Sequence, residues 1–393
     1  MKLVTIIGAR PQIIKAAALS RAIRNHYADQ IQEVIVHTGQ HYDDNMSQVF
    51  FDELQIPRPD YNLHVGSASH GVQTAHMIEG IEALLIKEQP DFIVLYGDTN
   101  STLAGAMAAA KSHVPIVHIE AGLRSFNKNM PEEINRIVCD HCSTLLFTPT
   151  KAGLENLKRE GFPVDESCPS TLRRAQGSGS AKPTIDNPKV YHCGDIMYDN
   201  SLHFADIAEE KTDIIQHFEL ADKPFILVTI HRDSNTDQPK RLNAIFNALL
   251  HLSERCQIAL PLHPRTAKFM KTNLAESLQN QILNSPSIKL LPPVSYLEMT
   301  ALERHAQLVM TDSGGVQKEA YFFKKPCIIL RPETEWVEIV QTGNAILADA
   351  DESRIMEAWQ HFKDNPPTVF PEIFGDGHAA EFMLDKIISC KVL

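Results

Sequence analysis

Runs of lysine and arginine are missing from this sequence. Its formal net charge is −12 over 393 residues. With no basic block to offset that charge, a general nucleic-acid binder or a protein that coats anionic membranes is excluded. An anionic ligand must therefore be held by a local positive pocket. Long apolar runs are missing too: none reaches the length of a bilayer span. The opening stretch from Met1 is interrupted at Arg10 before it attains the length of a signal peptide. Cysteine is sparse, with seven residues at no framework spacing. Only Cys139 and Cys142 form a C-x-x-C. They sit in a helical pattern without a second ligand pair, and read as structural rather than metal-binding. No metal or redox cofactor is expected, no nucleic-acid or membrane partner either, and a reducing cytoplasm is the natural compartment.

What is present is enough apolar material, 43% of residues, for two ordinary cores. Short β-branched runs alternate with segments of helical period, the pattern of a parallel sheet wrapped by helices. Strands are expected near 2–7, 33–38, 91–96, 114–118 and 144–148, with helices near 11–26, 70–88, 100–111 and 131–141. The pattern then restarts, with strands near 225–230, 257–260, 288–291, 307–311 and 326–330 and helices near 238–254, 266–280, 295–304 and 316–323. The fold class is thus α/β, as two Rossmann-like doubly wound domains facing across a cleft. The Gly-, Ser- and Pro-rich stretch 168–183 reads as a surface loop. The boundary is expected after Asp195, giving domains 1–195 and 196–369, with a final helix in 370–393 able to pack on either. In such sheets ligands bind beyond the carboxyl ends of the strands.

Polar residues cluster at those ends. Gly8-Ala9-Arg10-Pro11-Gln12 follows the first strand, with Lys15 one turn into the next helix. Pro11 suits a first helical position. Arg10 and Lys15 then lie near a helix N-terminus that already favours an anion. The same residues also fit a plain turn with two solvated cations. A later strand delivers Gly97-Asp98-Thr99, another delivers Glu120-Ala121-Gly122, and a third acidic group stands in Pro131-Glu132-Glu133. Singly, each suits a helix cap or a surface charge. Together they would crowd one rim and raise the pKa of at least one carboxyl, which suits it to general acid or base work. In the second half, strands end in His231-Arg232 and His263-Pro264-Arg265. Another runs into Asp312-Ser313-Gly314-Gly315, with Glu319 one turn into the helix that follows. Glycines there let a diphosphate approach the backbone, and Glu319 is placed to accept hydrogen bonds from a ribose diol.

In order, GARPQIIK at 8–15, TGQH at 38–41, GDTNSTLAG at 97–105, HIEAGLRS at 118–125, PEEINR at 131–136, HR at 231–232 and TDSGGVQKEA at 311–320 resemble the non-hydrolysing UDP-N-acetylglucosamine 2-epimerase family. The likeness spans nearly the whole chain and implies the glycosyltransferase-B architecture. It implies a metal-free reaction in which a base removes the C2 proton while UDP leaves C1, giving 2-acetamidoglucal and UDP, followed by re-addition after the proton returns to the other face. By this resemblance Asp98, Glu120 and Glu132 are the acid/base set, and Lys15 and His231 are essential polar partners. Arg10, Arg136, Ser313, Gly314, Gly315 and Glu319 hold the UDP-sugar. Gln40 and His41 match part of a region where many bacterial relatives bind a second, activating substrate molecule. A homodimer is implied as well.

The sequence departs from most relatives that use UDP-N-acetylglucosamine at Gln12, where they carry Glu, and after His231-Arg232, where Asp233-Ser234-Asn235-Thr236-Asp237 replaces a charged run. Arg331 to Glu338 looks more like the branch acting on UDP-2,3-diacetamido-2,3-dideoxyglucuronate. Either product would feed bacterial surface polysaccharide. Three other readings share the fold: a UDP-sugar-dependent glycosyltransferase, a hydrolysing 2-epimerase and a non-catalytic nucleotide-sugar sensor. The transferase has no need of the carboxylate rim, and the sensor predicts loss of Asp98, Glu120, Glu132 or His231, all of which are present.

Overall fold

The computed structural model describes residues 1–39, 57–164 and 184–390. They form two compact units, Met1–Asn200 together with Glu372–Leu393, and Ser201–Pro371. Among the described residues of the first unit, seven strands make one sheet: β1 (Lys2–Ile7), β2 (Gln32–His37), β3 (Tyr61–Asn62), β4 (Phe92–Tyr96), β5 (Ile116–Ile119), β6 (Leu145–Thr148) and β7 (Lys189–His192). Their order is β3-β2-β1-β4-β5-β6-β7, every neighbouring pair parallel. The second unit has β8 (Phe225–Thr229), β9 (Gln257–Pro261), β10 (Ile288–Leu291), β11 (Leu308–Thr311), β12 (Cys327–Ile329) and β13 (Ala345–Leu347), ordered β10-β9-β8-β11-β12-β13 and also parallel. Each is a Rossmann-like sheet.

The strands are continuous apolar runs because a parallel sheet is covered on both faces. β4 and β8 are buried at every position. Chain order reverses between β1 and β4, and again between β8 and β11, and ligands of such sheets bind at that reversal. Register there is fixed by pairs such as Leu3 with Phe92 and Thr311 with Thr229.

Several elements differ from the sequence expectation. The helix expected over 11–26 is α-helical over Arg10–Ala22 and continues as a π turn, Ile23–Tyr27. The helix expected over 266–280 is two, Pro264–Asn273 and Glu276–Asn284. The cause is Asn243, whose side chain donates to the Asn273 carbonyl (2.7 Å) and accepts from the Ala275 amide (2.9 Å), satisfying both backbone groups of the break. Helices Lys151–Arg159 and Glu352–Asp364, and strand β13, were not anticipated.

Helix Ile196–Lys211 begins at the boundary expected near residue 195, and its residues through Asn200 belong to the first unit. So does the final helix, Ala379–Ser389. Asp199 accepts from the amides of Ala379 (3.1 Å) and Ala380 (2.8 Å), occupying donors that a helix start leaves unpaired. Tyr27 donates to Asp385 further along the same helix (2.8 Å). The stretch 168–183 lies outside the described residues.

Candidate active site

At the reversal of the first sheet, β1 is followed by Gly8 and Ala9 and the chain turns into helix Arg10–Ala22, with Pro11 in its first turn. Arg10 is exposed at the start of that helix. Gln12 is buried. Its Oε1 accepts from the Gly8 and Ala9 amides (2.9 and 3.2 Å), and its Nε2 donates to the Tyr96 carbonyl and to Thr102 Oγ1 (3.0 Å each). The amide makes all four of its hydrogen bonds inside the protein. The departure at position 12 thus falls on a residue that ties the end of β1 to the end of β4, with no polar atom left over for a sugar.

Lys15, one turn on, is also buried, and its ammonium pairs with Glu120. It passes close over Gly97, where an added Cβ would come within 3.2 Å of Nζ. Gly97 also adopts φ +61°, which a side chain would disfavour. Next to it Asp98 pairs with the Arg136 guanidinium, and its carbonyl accepts from Asn135 (2.8 Å). Burial raises the Asp98 carboxyl above its ordinary range; Arg136 and Lys15 oppose this, and the charges of Glu120 and Glu132 reinforce it. The charges of Glu120, Glu132, Lys15 and Arg136 therefore all bear on Asp98, at the carboxyl end of β4.

Glu120 sits in the left-handed backbone region at φ +74°. A non-glycine residue there costs free energy, and such strain gathers at functional sites. The neighbouring bonds sustain it: the amides of Glu120 and Ala121 both donate to the Phe147 carbonyl (3.0 and 2.9 Å), and that of Gly122 to Asp140 (3.1 Å). The two adjacent glutamates of helix Pro131–Cys142 diverge. Glu133 is buried, accepts from the Ser125 and Phe126 amides (2.9 Å each) and pairs with Arg136 (3.1 Å). Glu132 is exposed in the first turn.

Beneath this rim lies a fully buried relay whose members carried no assigned role in the sequence. His118 donates from Nε2 to the Gly97 carbonyl (2.9 Å), and its Nδ1 lies 2.7 Å from Asp140 Oδ1. Asp140 also pairs with Arg124 (2.7 Å). Burial works against ionising Asp140, and the bonds from His118 and Arg124 overcome it, so the carboxyl falls below its usual range. The relay touches the turn before Asp98 and the turn after Glu120. Its signal in the sequence is a polar residue inside an apolar run: His118 in Ile116 to Ile119, and Asp140 beside Val138 and Cys139.

In the second unit the reversal places His231 after β8 and Ser313-Gly314-Gly315 after β11. Asp312, also without an assigned role in the sequence, organises both. Fully buried, it accepts from the amides of His231 and Arg232 (3.0 Å each) and from the Asn235 side chain (3.1 Å), and lies 3.3 Å from His231 Nδ1. Burial lowers the His231 pKa, His263 and Arg232 add to the effect, and Asp312 opposes it, so the ring stays neutral at pH 7. Ser313 caps helix Gly314–Phe322, its Oγ accepting from the Val316 amide (3.5 Å). An added Cβ on Gly314 would collide with Glu335, whereas one on Gly315 would meet nothing nearer than Ser313 Oγ at 3.8 Å and Glu319 Oε2 at 4.0 Å. The Gly315 backbone is therefore approachable, with the Glu319 carboxylate beside it. A helix N-terminus of this kind receives phosphate. Gln40 and His41 lie outside the described residues.

A family model described as UDP-N-acetylglucosamine 2-epimerase matches residues 22–388. The chain is 45% identical over 382 residues, 97% of each protein, to a UDP-N-acetylglucosamine 2-epimerase homolog of Methanococcus maripaludis. It is 44% identical over 381 residues, again 97% of each, to the UDP-2,3-diacetamido-2,3-dideoxy-D-glucuronate 2-epimerase of Pseudomonas aeruginosa. The crystal structure of Methanocaldococcus jannaschii UDP-GlcNAc 2-epimerase in complex with UDP-GlcNAc and UDP superposes with a TM-score of 0.81, at 38% identity, covering 99% of this chain and 100% of that one. With the match of the family model over nearly its whole length, the chain belongs to the UDP-N-acetylglucosamine 2-epimerase family.

Proposed function

We propose that this enzyme inverts C2 of a UDP-linked N-acetylated sugar by eliminating and re-adding UDP, with acid and base groups from the first unit and the nucleotide grip from the second. The observation that carries the reading is the buried Asp98, paired with Arg136 and under the charges of Glu120 and Glu132, next to the Lys15–Glu120 pair. A sugar C2–H has no adjacent carbonyl to acidify it, so its loss must be coupled to departure of a good leaving group. The C2–H bond breaks to a carboxylate, its electrons form the C1–C2 double bond, and the C1–O pair leaves with the diphosphate. Cations stabilise the departing charge. Proton return to the opposite face and re-addition of UDP complete the inversion. Arg10 and Arg136 are the substrate cations of the first unit, Lys15 and His231 assist the transfer, and Ser313, Gly314, Gly315 and Glu319 hold UDP. The same reading makes the enzyme a cytoplasmic homodimer without a cofactor. Among the described residues no helix is long and apolar enough to cross a membrane.

The sugar is UDP-N-acetylglucosamine or UDP-2,3-diacetamido-2,3-dideoxyglucuronate, the latter favoured by the likeness of Arg331 to Glu338. Incubation of the enzyme with each in D₂O, followed by NMR, is expected to show inversion at C2 with deuterium incorporated there for one of them. Inversion without deuterium, or release of free sugar, would overturn the elimination. Glu319→Ala is expected to raise KM with kcat nearly kept, because a ribose contact is alike in ground and transition states. A large loss of kcat at unchanged KM would remove Glu319 from the ribose.

A further inference from the structure

Helix Pro131–Cys142 grips Asp98 twice: Asn135 donates to its carbonyl (2.8 Å), and Nη2 of Arg136 pairs with its carboxylate. The other end of the same guanidinium is held as well. Nη1 of Arg136 donates to Glu133 Oε2 (3.1 Å), three residues earlier and so a neighbour on the helix surface. Glu133 is only 1% exposed. Besides Arg136 it takes two successive backbone amides, that of Ser125 on Oε2 and that of Phe126 on Oε1 (2.9 Å each). Burial works against ionising this carboxyl, and the bonds from Ser125 and Phe126 and the charge of Arg136 overcome it, so it falls below its ordinary range.

The loop that supplies the amides is strained. Phe126 adopts φ +58°, a region that bulky side chains seldom enter, and its ring is 74% exposed. A ring in water gains little from packing, so the strain must be offset by other bonds, and the Phe126 amide on Glu133 is one of them. The same carboxylate therefore fixes the loop that follows Glu120 and the cation that pairs with Asp98.

We propose that Glu133 is a positioning residue for the inversion at C2: it holds Nη1 of Arg136 so that Nη2 stays on Asp98. The proposal rests on the reading of Asp98 as an acid or base group and of Arg136 as a substrate cation. Glu133 itself touches no reacting atom. An arginine side chain left to sample its rotamers would have to be ordered during the reaction, whereas one held beforehand stabilises developing charge without that cost.

The test is a double-mutant cycle on kcat, with Arg136 as the partner. Glu133→Gln keeps the size of the side chain and removes its charge, and is expected to lower kcat about tenfold or more, the scale of one hydrogen bond to a charged group. Arg136→Ala is expected to lower kcat further, and Glu133→Gln added to Arg136→Ala should change it by less than about twofold. The pH profile gives a second readout. The charged groups that act on Asp98 are Arg136, Lys15, Glu120 and Glu132. Neutral Gln at 133 no longer competes for Arg136, so the limb of the kcat profile that Asp98 sets should move to lower pH. A purely structural Glu133 would lower the melting temperature, leave that limb in place and lower kcat by the same factor with or without Arg136. Either that equal factor or parental kcat in Glu133→Gln would overturn the proposal. Should Glu133→Gln fail to fold, Glu133→Asp, which keeps the charge but is one methylene short of spanning the loop amides and Arg136, is read in the same cycle with the same outcomes for kcat. Parental kcat in Arg136→Ala would overturn the reading of Arg136 itself, whereas a large loss there with no effect of Glu133→Gln overturns the role of Glu133 and leaves that reading standing.

Discussion

Asp98→Asn, Glu120→Gln and Glu132→Gln are each expected to lower kcat by at least about a hundredfold, the scale for removing a general acid or base, while UDP still binds. Inverting a carbon through a planar intermediate needs proton removal on one face and delivery on the other. A single residue that reaches one face is insufficient, so more than one carboxyl must matter. The geometry gives each a distinct condition. Asp98 is paired with Arg136 and has its carboxyl raised by burial, so it carries a proton to higher pH than an ordinary aspartate. Glu120 is ion-paired with Lys15 on a strained backbone, and Glu132 stands exposed at a helix start. Replacing Asp98 by Asn also leaves Arg136 bound to Glu133 alone, an added reason for a large effect. Deuterium wash-in at C2 discriminates. If the three variants exchange C2 hydrogen and epimerise at parental rates, these groups are caps and surface charges and the mechanism fails.

Asp140→Ala is expected to cost about 3–5 kcal/mol of the first unit's stability, the range for removing one partner of a buried ion pair. It would leave His118 and Arg124, both buried, without their shared acceptor, and the Gly122 amide without its partner. The sign with pH follows from the lowered carboxyl pKa. A group whose folded pKa is depressed contributes above its unfolded pKa, 3.8 for Asp, and that contribution is lost as pH falls through the folded value. The carboxylate's share of the difference should thus be full at pH 7 and shrink in acid, whereas the share from His118, whose pKa Asp140 helps to raise well above its usual 6.5, is full below 6.5 and is lost as pH rises through its folded value. Urea unfolding of parent and variant in acid, near pH 6 and at pH 7 measures it. A loss under about 1 kcal/mol at pH 7, the scale of an exposed pair, would mean that the relay is not a stabilising network. Because the relay touches the turns beside Asp98 and Glu120, kcat should fall too.

The alternation of apolar runs with helical segments was legible because parallel strands are buried on both faces and cannot alternate. The strand ends were legible for a related reason, since a polar cluster immediately after such a run has few places to go but the rim of the sheet. What escaped depended on partners far away in the chain. Nothing in Asn273-Leu274-Ala275 announces a helix break, which Asn243 creates from another helix. Glu132 and Glu133 are indistinguishable by type and differ only in what the fold brings to them. Gln12 looked like a mark of substrate choice, yet its four bonds show a tie between strands.

Asp199 and Tyr27 both wait for a helix made more than a hundred residues later. The first unit is interrupted by the whole of Ser201–Pro371 before Glu372–Leu393 returns to it. During synthesis, which proceeds at roughly 5–20 residues per second, the second unit emerges as a continuous stretch and can fold while the first still lacks its last piece. Ser201–Pro371 is thus one continuous stretch, whereas the first unit stays incomplete until Ala379–Ser389 offers its first amides to Asp199.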